Sequence, residues 1–381
     1  MPASRRRLVL SALTAALTTT ALTTATPALA APVPASVELL PLRGDATTFA
    51  TDVNESGVVV GFSTTRGSLS PRRAVRWDRA GAPTDLGTLG GATSTANAVN
   101  EAGVVVGHAQ DADGAARAVR WDPDGSVRDL GALPGGTTSR AEQVGDDGAV
   151  AGVSDTGGRG QRAVRWGPDG AITELPTPEG ALGSWVNGVN DVGGVVGGAY
   201  TEGGVVALRW DGDGRATVLT GLGGAAHNAV ALADDGTAVG QSATPDSFVP
   251  VRWDRAGRVT ALSAEEGFAT SVNAHGVAAG RAAGRATLWD RRGRALDLGA
   301  LPGGGRSHAV RVNDRGVVVG NAEGPGGGPD RPVRWDRRRG LVELPVPAGV
   351  SEGGASHVTA SGLIIGHLTP VDGGSRAVLW R

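Results

Sequence analysis

Eight tryptophans recur at nearly constant spacing, and that recurrence constrains the fold more than any other feature. Trp77, Trp121, Trp166, Trp210, Trp253, Trp289, Trp335 and Trp380 lie 44, 45, 44, 43, 36, 46 and 45 residues apart. Seven follow an AVRW-like run (AVRW, ALRW, PVRW or AVLW), and ATLW at Trp289 is the loosest copy. A period of about 40 to 45 residues is that of a four-stranded propeller blade. Helical arrays of similar period would show apolar stripes at 3.6-residue spacing, and none is visible. The 63 Gly and 21 Pro would also break them.

Each unit reads as four strands. In residues 91–134 these are Ser94 to Asn100, Val104 to Gly107, Ala118 to Asp122 and Val127 to Leu133. Asn-Glu-Ala-Gly joins the first two strands and Asp-Pro-Asp-Gly the last two, as short hairpin turns with Gly where positive φ is needed. The linker between the second and third strands varies in length and composition. The last copy stops at Trp380-Arg381 and lacks its Leu-Pro strand, while Val37-Glu38-Leu39-Leu40-Pro41-Leu42 is an orphan of that kind. Pairing the two would complete a blade from both ends and close the ring, removing exposed edges. The expected fold is therefore all-β, an eight-bladed propeller closed by strand 37–42. Seven blades is the alternative if one unit is degenerate, the short one around Trp289 first. With the orphan strand outermost, the Ser-x-Ala-x-x-Val-Asn strand must line the axis.

The first thirty residues read as an export signal. Ser4-Arg5-Arg6-Arg7-Leu8-Val9 precedes a mildly apolar Ala/Leu/Thr run, and Ala28-Leu29-Ala30 offers a cleavage site between Ala30 and Ala31. The paired arginines resemble the twin-arginine signal, with an ordinary Sec peptide as the alternative. Residues 31–36 are then a short linker and 37–381 one propeller domain, secreted. No later stretch has 18 consecutive apolar residues, so no membrane-spanning helix is expected. Removing three Arg and no acid takes the net charge from −2 to −5, which argues against a nucleic-acid partner. There is no Cys, and all 36 basic residues are Arg; disulfides, thiolate metal sites, Walker-type loops and Schiff-base lysines are excluded.

The pattern RAVRWDPDG, DLGALPGG, SRA and VN-x-x-G-x-VVG resembles the extracellular HAF-repeat proteins of bacteria over nearly all of residues 37–381. Their His-Ala-Phe is here Arg-Ala-Val, at Arg117, Arg162 and Arg376. The resemblance implies a secreted repeat protein. The strand-ending Trp-Asp is also similar to WD-repeat propellers, without their glycine-histidine dipeptide.

The recurring residues point to structure: the Trp to packing between blades, the Arg before it to pairing with a carboxylate of its own or the next blade, and the Asp after it to a turn. Asp111-x-Asp113-Gly114 and Asp211-x-Asp213-Gly214 begin like calcium loops but lack the later ligands. Catalytic spellings such as Gly-x-Ser-x-Gly and His-Glu-x-x-His are absent. Five histidines (His108, His227, His308, His357, His367) are expected near connections on the variable-linker face. One column breaks the repeat, directly after the Ser that opens the innermost strand: Phe49, Thr95, Arg140, Trp185, Asn228, Phe268, His308 and Gly354. It lies beside a nearly constant Ala column. Such a pattern at the axial opening suits a ligand-reading rim, with Phe49, Arg140, Trp185, Asn228, Phe268 and His308 as candidate binding residues. The expected function is an exported binding module, a monomer without cofactor or metal, recognising an extracellular glycan, peptide or cell-envelope component. The alternatives are a polysaccharide lyase or glycoside hydrolase working from the same axial pocket, for which the single Tyr200 offers little support, and a structural or adhesive surface protein.

Overall fold

The structure is a computed structural model, and it describes residues 35–65, 71–337 and 339–381. The expected export signal and its cleavage site at Ala30 and Ala31 lie outside the described residues. The described residues form one compact unit. It contains eight four-stranded antiparallel sheets, and each follows chain order except the one that closes the ring. The molecule is an eight-bladed β-propeller. Blades 1 to 7 span 47–85, 90–129, 139–174, 183–219, 227–261, 267–297 and 307–343. Blade 8 takes its three inner strands from 350–380 and its outermost strand, Ser36–Glu38, from the other end of the chain.

That outer strand pairs antiparallel with Arg376–Trp380, Ser36 opposite Trp380 and Glu38 opposite Val378. It begins one residue earlier and stops sooner than the expected 37–42. Leu39 still donates to Ala377 O, but Leu40 already donates to Gly81 O of blade 1, and Pro41 has no N–H with which to continue the ladder. The other fourth strands are equally short, three or four residues each, so the Leu-Gly-Ala-Leu stretch after the Asp, expected within the strand as far as Leu133, is connection rather than strand. The short unit around Trp289 is a complete blade. Its economy lies in one hairpin: Ala282 pairs with Arg285, and Ala283 and Gly284 take φ of 49° and 76°, the paired left-handed residues of a tight hairpin turn.

The inner strand of each blade touches that of the next, and the last touches the first, so eight strands surround the axis. The core lies between blades rather than within them. On the third strands the Ala, or Pro in blades 5 and 7, faces the next blade, while the Trp and the apolar residue two before it in most blades face the previous one, as in the cluster joining Ala74 and Ala96 to Val119 and Trp121. All eight repeat tryptophans are fully buried in these seams. The Arg before each Trp lies on the Ala side, and the carboxylate partner expected for it holds only in part. Arg120 pairs with Asp122, Arg165 with Asp147 and Arg334 with Asp336. Arg209 and Arg252 instead donate to backbone carbonyls of the next blade, Gly236 and Arg255 in one case and Gly276, Asp290 and Arg291 in the other. Turn carbonyls lie nearer than any carboxylate there, and a guanidinium accepts either partner.

The Asn ending most inner strands stitches turn and ring together. Asn100 Oδ1 accepts Val104 N–H while its amide donates to Gly145 O of blade 3. Asn54, Asn190, Asn273 and Asn313 repeat the arrangement. One side chain thus closes the hairpin and fastens the next blade, a double demand that an ionised Asp, which only accepts, cannot meet.

Candidate functional site at the two ends of the axis

At the linker end, the rim is set by the Ser that opens the inner strand. Ser139 Oγ accepts Ala118 N–H from the preceding blade (2.9 Å) and donates to Gly131 O (2.7 Å). Ser94, Ser184 and Ser307 accept equivalent N–H groups, and Thr48 does so in blade 1. With that residue pinned, the following one is held at the axial opening. A bulge two to three residues further on recurs in every blade and presses the backbone of the rim residue against the second strand. A Cβ on Gly197 would collide with Trp185 O, and the equivalent glycine in each other blade meets the same carbonyl. This explains the constant Gly of the Val-Val-Gly run.

The expected rim residues all occupy this level, and they form contacts in small groups rather than one continuous wall. Phe49 stacks on Phe62 (centroids 4.7 Å), which carries Arg72 over its face. Trp185 packs on Tyr200 (4.6 Å), and a Cβ on Gly198 would collide with its ring, so only glycine lets the indole lie flat there. Asn228 accepts the Asn187 amide at 2.8 Å. Phe268 meets His308 edge to face at 5.0 Å, with Arg281 over its other side. Arg140 is exposed, whereas Thr95 and Gly354 are buried. Gly354 makes room for Asn321, whose amide oxygen accepts Ala355 N–H.

The sequence reading missed a second column: the residue after the constant Gly of the second strand, directly across from the rim. It reads Phe62, His108, Val153, Gly198, Gln241, Arg281, Asn321 and His367. It varies as freely as the first, and a variable residue following an invariant Gly was the available signal. Burial lowers His108 to about 4, with Arg140 and Arg72 adding repulsion, and lowers His308 to about 4, with Arg281 adding more. Both imidazoles are therefore neutral near pH 7, and His108 Nδ1 and His308 Nε2 have no hydrogen-bond partner. The rim is thus aromatic and basic, and its two columns contain no carboxylate.

The other end of the axis differs. A cavity of about 460 Å³ opens there among the tight turns. Its mouth carries Glu55, Glu101, Asp146, Asp191, Asp234 and Asp314, all exposed, each the residue after the strand-ending Asn or its equivalent. They link blade to blade: Glu101 accepts Glu55 N–H, Asp146 accepts Glu101 N–H, Asp234 accepts Asp191 N–H, and Glu55 reaches across the closure to Ala360 and Ser361. Burial and neighbouring carboxylates raise Glu101 and Asp191. The sequence reading took these turns only for Gly-bearing hairpins, although six of eight carry an acid at the same place. It also expected His357 near the linker face; His357 lines this cavity instead, three residues from its mouth.

No protein-family model matches the chain, and no curated protein does. Among solved structures it is similar to dipeptidyl peptidase 4 of Porphyromonas gingivalis, with a TM-score of 0.56 at 10% identity, over 88% of this chain and 59% of that one. It is similar to puromycin hydrolase with a TM-score of 0.52 at 17% identity, over 85% and 58%. The chain therefore spans about three fifths of those proteins. A virginiamycin B lyase from Staphylococcus aureus gives 0.49 at 14% identity over 91% and 99%. The likeness is one of fold alone.

Proposed function

We propose that this protein is an exported binding propeller that recognises an extracellular glycan at the linker-end rim. The observation that carries the reading is the Trp185–Tyr200 pair laid over Gly198. Tyr200 is 55% exposed, so the pair presents an apolar aromatic platform of the kind that takes the flat face of a sugar ring. The exposed Arg140 and the part-buried Asn228 supply hydrogen bonds around it. The basic lining favours a glycan bearing carboxylates or sulfates. Glycosidase chemistry needs a pair of carboxylates flanking the bond, and the two rim columns offer none, which is why binding is preferred to hydrolysis. The test is retention of the purified protein on insoluble polysaccharides and cell-wall material beside Trp185→Ala. Retention of the parent, with roughly tenfold loss in the variant, supports the rim. Equal retention of both moves the site elsewhere, and retention of neither sinks the insoluble-glycan reading.

A further inference from the structure

The cavity at the opposite end rests on other residues than the rim. Midway along the inner strands, one position is uncharged in blades 2 to 6 (Ala98, Gln143, Gly188, Ala231, Ser271). In the consecutive blades 7, 8 and 1 the same position holds Arg311, His357 and Asp52. The space is therefore lopsided, with its charged and imidazole groups at this level gathered on one side.

Arg311 is the cation of this group, with Asp52 as a charged neighbour but not in direct contact. Its Nη2 lies 2.9 Å from His357 Nε2. A guanidinium only donates, so the imidazole accepts there and carries its proton on Nδ1. His357 thus positions the guanidinium without neutralising it. Asp52 is otherwise engaged, its two oxygens accepting Val53 and Val99 N–H. Among the described residues Arg311 makes no ion pair, and its side chain stands exposed in the cavity. Burial pushes the Asp52 carboxyl up to about 6, against the lowering effect of Val99 N–H and of Arg311, so it stays largely ionised near pH 7 with both its oxygens held by backbone N–H groups.

At the mouth the charge has the opposite sign. None of the six carboxylates makes an ion pair among the described residues, and no group of three acidic or imidazole side chains there could hold a metal ion. An organic cation suits such a spread ring better than a metal. From Arg311 to Asp314 the chain advances three residues, the last two beyond the strand end at Val312, a reach of at most roughly 10 Å, which is close to the length of two or three extended residues. An anion alone would be repelled at the mouth, and a cation alone would meet Arg311 at the inner end. A molecule carrying both charges at that separation satisfies both.

We propose that this end of the channel binds a short free-ended peptide of two or three residues, its carboxylate on Arg311 and its ammonium among the mouth carboxylates. Valine and leucine side chains between the two levels (Val53, Val189, Leu232, Val312, Val358) accept small apolar side chains.

The test is calorimetric titration of the full protein with trialanine, N-acetyl-trialanine, trialanine amide and spermidine. Trialanine should bind, and capping either end should weaken binding at least tenfold. Arg311→Gln should leave trialanine and its amide bound equally weakly. Asp191→Asn combined with Asp234→Asn should do the same for trialanine and its acetylated form. His357→Gln should weaken the carboxylate preference without touching the ammonium preference. The proposal is overturned if trialanine shows no binding at millimolar concentration, or if capped peptides bind as well as the free one. It is also overturned if spermidine binds more tightly than trialanine and Arg311→Gln strengthens it, since that describes a site for cations alone. The capping comparison on the parent protein needs no variant to fold, and none of these outcomes depends on the rim.

Discussion

At the scale of single residues, the repeat tryptophans fall into two kinds that their flanking run does not separate. Nε1 of Trp77, Trp210, Trp253 and Trp380 donates to Leu40, Pro176, Thr220 and Pro345 O of the preceding blade, at 2.6 to 2.9 Å. Trp289 has no such partner, and neither have Trp121, Trp166 and Trp335. In the blades that precede those three the strand ends in Asp-Leu-Gly. Asp85, Asp129 and Asp297 accept the N–H of Gly87, Gly131 and Gly299, and each glycine takes a φ near 80°. The carbonyl then turns away from the indole, and in two of the three it accepts the next blade's serine hydroxyl. Replacing Trp253 by Phe should therefore cost about 1 to 2 kcal/mol more than replacing Trp121 by Phe, read from urea midpoints. The rim histidines give a second expectation. The unfolded chain takes up their protons near pH 6.5 and the fold resists until about 4, so stability is full above 6.5 and falls as the pH drops toward 4. The loss is on the order of 3 kcal/mol per histidine, and His108→Gln with His308→Gln should flatten that slope in denaturation curves at pH 7.5 and 4.5. The identity of the rim residues was legible because a variable column stood beside a constant one. Their partners were not, because cross-strand pairing depends on the bulge, which leaves no mark on the inner strand's own pattern.

At the scale of elements, turns and strand order were legible because Gly-bearing hairpins and two-residue alternation are local signals. The length of the fourth strand was not. Its Leu continues the apolar pattern, yet the chain leaves the sheet there because the Asp side chain closes a turn on the Gly two residues on. Gly131→Ala should accordingly destabilise by about 1 kcal/mol or more, since Gly131 holds φ 78°, whereas Gly158→Ala, which would meet nothing within 4 Å and lies outside the positive-φ set, should be nearly neutral. Thermal melts of the two variants separate these outcomes. The acidic mouth was missed for a related reason: an Asp or Glu in a turn is explained well enough by the turn itself, and only the closed ring brings six of them face to face.

At the scale of the molecule, ring closure was legible from the missing strand at one end and the surplus one at the other. Deleting residues 35–39 should cost at least about 3 kcal/mol, because Leu39 is wholly buried and Trp77 would lose Leu40 from its place. Arg376→Ala should cost under about 1 kcal/mol, because the Arg376–Glu38 pair is two-fifths exposed on both sides. Urea denaturation of both variants checks the contrast. The opposite charge of the two axial ends was not legible, since the residues responsible are one per blade and some forty apart.

The seam in blade 8 has a mechanical consequence. Ser36 lies opposite Trp380, and Arg381 N–H donates to Ala35 O, so both strands of the seam leave it at the same end. A load pulling residues 35 and 381 apart would meet the closing hydrogen bonds one at a time, as in unzipping, rather than all at once in shear. The ring would then open at low force from a single end, and the remaining blades would peel away in sequence, each exposing the next seam. A closure that resists heat and denaturant through its buried Leu39 would be the first part of the molecule to yield to tension.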